Sequence, residues 1–206
     1  MFLFPLVLGV LFLPEANSLK CHECLPAPSG ICTEKTAECP SQDYRCLAAT
    51  EVAIKDGVVV SALNIKRCIM PDRCVENSVN YGTYRVVKNS ACCNEDLCNA
   101  QIPEYKSAPN GNMCFTCEGE NCMKTLNCVG NENYCVKATR NVEGKNVTLK
   151  GCASKLICSN QRASRVNEFS AEQISCCQGD YCNSASKAST YLLLLLVPLL
   201  FSALLS

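Results

Sequence analysis

Two apolar runs bracket the chain, and between them apolar residues come only in short stretches. Residues 2–13 are almost wholly apolar and lead into Ala16-Asn17-Ser18, small residues of the kind a signal peptidase reads. This predicts a secretory signal over residues 1–18 and a mature start at Leu19. Residues 191–206 form a second apolar run, shorter than the roughly 20 residues a bilayer span needs. Small residues at Asn183, Ser184, Ala185 and Ser186 and a polar stretch to Thr190 precede it, the order of parts in a glycosylphosphatidylinositol signal. Residues 184–206 are therefore expected to be removed, with Asn183, Ser184 or Ser186 as the attachment residue. Between the two runs, β-branched segments flank turn residues. Residues 49–67 set such segments on either side of Lys55-Asp56-Gly57, a strong hairpin signal. Residues 136–142 and 146–150 repeat the plan around Glu143-Gly144-Lys145. Nothing has the length and period of a long amphipathic helix, although residues 163–173 allow one turn. The expected class is all-β.

Cysteine changes the picture from one core to two small frames. The 206 residues hold 20 Cys and no Trp, the mark of small domains matured in an oxidising compartment. Ten fall in each half, at 21, 24, 32, 39, 46, 68, 74, 92, 93, 98 and at 114, 117, 122, 128, 135, 152, 158, 176, 177, 182. The last four steps between them, 6, 18, 1 and 5, are identical, and ACCNEDLCN at 91–99 reads against SCCQGDYCN at 175–183. One module is used twice. The expected domains are 19–99 and 114–183, joined by a linker over 100–113 whose Pro103 and Pro109 favour an extended path. Ten cysteines leave the connectivity open, but the neighbours Cys92 and Cys93 cannot bridge each other without strain, nor can Cys176 and Cys177.

The leading LKCHEC, the vicinal pairs and the closing CCNEDLCN resemble the lymphocyte antigen six and urokinase receptor domain family, in both copies. The resemblance implies two tandem disulfide-rich three-finger domains, each a knot of disulfides from which three β-fingers project. It implies the pairs Cys21–Cys46, Cys24–Cys32, Cys39–Cys68, Cys74–Cys92 and Cys93–Cys98. For the second copy it implies Cys114–Cys135, Cys117–Cys122, Cys128–Cys152, Cys158–Cys176 and Cys177–Cys182. It also implies that Asn99 and Asn183 clasp the first strand of their domains. A surface receptor or co-receptor for an extracellular protein is the expected role. An inhibitor of secreted phospholipase and a modulator of a neighbouring receptor or channel are the alternatives.

Candidate chemistry adds little. Residues 19–100 carry nine Lys/Arg against ten Asp/Glu and residues 101–183 nine against eight, so neither half suggests nucleic acid. His22 is the lone histidine, which leaves hydrolytic triads almost no room. The two Cys-x-x-Cys pairs read as disulfide partners rather than as zinc or redox ligands, and Glu95/Asp96 and Glu118/Glu120 as solvated surface. No enzyme activity and no cofactor are expected. Asn146-Val147-Thr148 is the one glycosylation sequon, which leaves the first copy as the freer contact surface. There Val59 and Leu63 are taken to share one exposed face of the central hairpin and to form its binding patch.

Overall fold

The Asp56-Gly57 turn sets the frame of the first half. Both residues take positive φ, 49° and 78°, the two-residue turn whose twist suits paired strands. It joins β3 (Arg45–Lys55) to β4 (Val58–Ile69) in a long antiparallel hairpin. The computed structural model describes residues 18–25, 33–142, 144–159 and 173–184. Before this hairpin, β1 (Lys20–Glu23) pairs with β2 (Lys35–Glu38) as a separate finger. After it come β5 (Asn77–Asn80) and β6 (Tyr84–Cys93), and β6 lies along the whole of β3. The second half repeats the order: β7 (Pro109–Glu118) with β8 (Asn121–Val129), then β9 (Tyr134–Val142) with β10 (Lys145–Ala153), then β11 (Gln173–Cys177). The architecture is all-β, two tandem three-finger domains.

Burial would not hold two such small bodies. Disulfides cross between the fingers instead. In the first domain they join Cys21 to Cys46, Cys39 to Cys68, Cys74 to Cys92 and Cys93 to Cys98. In the second they join Cys114 to Cys135, Cys117 to Cys122, Cys128 to Cys152, Cys158 to Cys176 and Cys177 to Cys182. Cys24 is disulfide-bonded as well; Cys32 lies outside the described residues. Each bridge contributes about 2–4 kcal/mol by restricting the unfolded chain.

Three features depart from the sequence reading. First, the halves share one sheet, ordered β11-β9-β10-β5-β6-β3-β4. The seam is β10 against β5, Cys152 opposite Asn80 and Ala153 opposite Val79. Each half leaves a sheet edge with unpaired N–H and C=O groups, and joining the edges satisfies both. Second, the segment read as linker is partly strand, since β7 starts at Pro109 and Asn110 ties its turn to Gly130 and Glu132. Third, helix appears as α1 (Lys155–Ser159), closed onto the second domain by Ile157; of residues 163–173, 163–172 lie outside the described residues and Gln173 opens β11.

The shared sheet has two faces. The knot face carries Cys46, Cys135 and Cys152 and their bridges. The outer face carries Leu47, Ala49 and Ile65 in the first domain and Val136, Ala138 and Ala153 under α1 in the second. Val79 and Tyr81 of the first domain belong to this second cluster. Burial raises the Tyr81 phenol to about 12.

Candidate functional site: the hairpin groove, the clasps and the seam

The central hairpin of the first domain carries a concavity. On the outer face, Ala53 and Val86 form an apolar floor with Val60 and Leu63 beside them, and Glu51, Lys55, Asp56 and Tyr84 stand at the rim of a cavity of about 800 Å³. Val58, Val59 and Val60 are all exposed, Val60 at 57%. The register corrects the assumption that Val59 and Leu63 share a face. Ala53 lies opposite Ser61 but Ile54 lies opposite Val59, so Val60 is an inserted residue. A bulge of this kind reverses the alternation beyond it. Leu63 therefore stands in the groove with Val60, while Val59 follows Ile54 onto the other face. A run of three valines gave no sign of which would bulge.

Asn146 is exposed on β10 beside Asn141, whose Nδ2 donates to its Oδ1 at 3.4 Å. Alternation from Leu149, which packs in the outer-face cluster, puts Asn146 on the knot face. A glycan there would stand on the opposite side of the sheet from the groove.

Each knot is closed by a buried asparagine. The Asn99 Oδ1 accepts from His22 N at 2.9 Å, and its Nδ2 donates to the His22 and Leu47 carbonyls. Asn183 repeats this with Phe115 N, Phe115 O and Val136 O. A single carboxamide thus satisfies backbone groups of two segments. Ser184 follows with its N–H on the Tyr181 carbonyl; Ser186 lies outside the described residues.

His22 Nδ1 sits 2.8 Å from Glu34, which also takes a 2.6 Å contact from Lys66. The Lys66 hydrogen bond, with the charges of Lys66 and His22, holds the Glu34 carboxyl below its usual range. These groups tie finger one to β4. Sulfurs crowd within 4.8 Å at Cys21, Cys39 and Cys68 and again at Cys114, Cys128 and Cys152. Every one is in a disulfide, so none offers the thiolate that a metal takes. Glu118 pairs with Lys124 at 2.6 Å, which lowers its carboxyl.

The seam is a polar buried region. Glu132 is fully buried; it accepts from Arg85 Nε at 2.8 Å, Ser78 Oγ at 2.5 Å and Val129 N at 3.1 Å. Arg85 reaches on to the Lys106 carbonyl, and Thr116 Oγ1 donates to the Tyr81 carbonyl. Gly151 permits the contact, since a Cβ there would lie 1.9 Å from the Asn80 carbonyl oxygen. A lone Glu132 between two strands carried no signal of this role in the sequence.

Two tandem disulfide knots with projecting β-fingers define a three-finger protein. The u-PAR/Ly-6 domain profile matches residues 17–101, and that of snake toxin and toxin-like protein matches residues 113–183. The chain belongs to the u-PAR/Ly-6 family. It is 31% identical to rat (Rattus norvegicus) lymphocyte antigen 6B over 118 residues, 55% of this chain and 79% of that protein. It is 26% identical to Ly6/PLAUR domain-containing protein 8 of Bos taurus over 167 residues, 74% of this chain and 72% of that protein. With the Bos taurus urokinase plasminogen activator surface receptor it shares 29% identity over 107 residues, 47% of this chain. The match covers 32% of that receptor, so the chain spans about a third of it.

Proposed function

We propose that this chain is a non-enzymatic cell-surface receptor or co-receptor, held in the outer leaflet by a glycolipid anchor, that binds an extracellular or neighbouring membrane protein through its first central hairpin. The observation that carries this reading is the groove. An apolar floor with exposed Val60 and a charged rim is the composition of a protein-binding surface, and the sequon stands on the opposite face. The urokinase receptor match supports a surface receptor role. Its ligand is not transferred, because this chain corresponds to only a third of it.

The test displays the full chain on cells with a photo-crosslinking residue at Ser61, in the groove, or at Lys137, on the knot face. One protein should be captured from Ser61 and not from Lys137, and Leu63→Asp should abolish its capture. Equal capture from both positions would overturn the groove. Release of the chain by a phosphatidylinositol-specific phospholipase checks the anchor separately.

A further inference from the structure

The two copies place the same buried lysine at the chain's exit but surround it differently. Lys66 stands two residues before Cys68 and Lys150 two before Cys152. Each donates to the carbonyl that follows its clasp asparagine, Lys66 to Ala100 at 2.5 Å and Lys150 to Ser184 at 3.0 Å. Both lysines are buried. Lys66 has its counter-charge in Glu34 at 2.6 Å. Lys150 has the Phe115 ring, 5.9 Å from ammonium to centroid, and among the described residues no carboxylate lies within ion-pair distance of it. Burial and the charge of Lys137 together lower its ammonium below the usual lysine range. A buried cation is costly unless an anion meets it, and this one lies against the carbonyl of Ser184, the last described residue.

We propose that Ser184 is the anchor residue and that Lys150 holds the phosphodiester of the anchor's ethanolamine phosphate. This rests on the anchored reading above. In the attachment, the amine of a preassembled glycolipid attacks the Ser184 carbonyl carbon and forms a new amide. The bond to Ala185 breaks, and residues 185–206 leave with the transferred proton on their new amino end. The Ser184 carbonyl survives, so its bond to Lys150 survives. The phosphate then hangs two methylenes beyond the new amide nitrogen, within reach of an ammonium already at the carbonyl. Attachment at Asn183 would remove the carbonyl that Lys150 holds, and attachment at Ser186 would carry the phosphate two residues farther away.

The test uses the full chain expressed on cells, released by phospholipase and freed of lipid, so that no bilayer headgroup is present. Mass spectrometry of the C-terminal peptide should find ethanolamine phosphate on Ser184; finding it on Asn183 or Ser186 overturns the assignment. The phosphorus resonance of that diester should move in Lys150→Gln and stay in place in Lys66→Met, whereas no movement in Lys150→Gln overturns the contact. Should Lys150→Gln fail to fold, acetylation of the wild-type protein decides. Lys150 should react several-fold more slowly in the anchored protein than in a secreted chain ending at Ser186, and equal rates overturn the proposal. A chain that phospholipase never releases overturns the anchored reading itself, a result distinct from all of these.

Discussion

The two copies of the module agree at the knot and diverge toward the fingertips. Asn99 and Asn183 make the same bonds to the first and third strands of their domains. The central hairpins share a cysteine frame, yet the first ends in exposed valines over a groove and the second carries the sequon. The knot must satisfy backbone donors and acceptors from several segments at once, which leaves little freedom. A fingertip satisfies only its own turn, so its surface is open to functional change.

The seam, which belongs to neither copy alone, is where the comparison breaks most sharply. Glu132→Ala leaves Arg85 buried beside no anion and should cost roughly 3–5 kcal/mol. Denaturant unfolding should resolve two transitions in the variant where the wild type shows one; a single, unshifted transition would mean that Glu132 does not couple the halves. The clasps come next. Asn99→Ala and Asn183→Ala each strand buried backbone groups and should each cost about 1–3 kcal/mol. Similar losses by thermal melting would mark them as one device, and a loss in only one copy would end that equivalence.

Tyr81 sharpens the seam by titration. Its folded value, near 12, lies above the 10.0 of an unperturbed phenol, so the unfolded chain releases the proton first. Stability from this group is therefore complete below about pH 10 and lost as pH rises toward 12, by about 1.4 kcal/mol per pH unit. Tyr81→Phe should flatten that loss in stability measured between pH 9 and 12. The smallest effect is Glu34→Gln. The Lys66 bond lowers this carboxyl, so its contribution is present above the usual carboxylate value and fades as pH falls through the folded one. Acid titration of stability should lose that slope in the variant. Among the described residues the second domain has no matching carboxylate at Lys150, and substitutions there should leave the slope intact.

Much of this protein was readable in order of residues. The Asp56-Gly57 hairpin needed only two positions able to adopt positive φ. The repeat followed from cysteine spacing, and the all-β class from β-branched segments flanking turn residues. What the chain could not announce were relationships between distant residues. Whether Val59 or Val60 joins Leu63 depended on one inserted residue in a register that the partner strand sets. The burial of Glu132 depended on Ser78, Asn80 and Arg85 arriving from the other half. Cysteine spacing is a local constraint and survives in one dimension. Sheet register and the joining of open edges are decided by which backbone groups remain unsatisfied after each half has folded, and only the tertiary structure settles that.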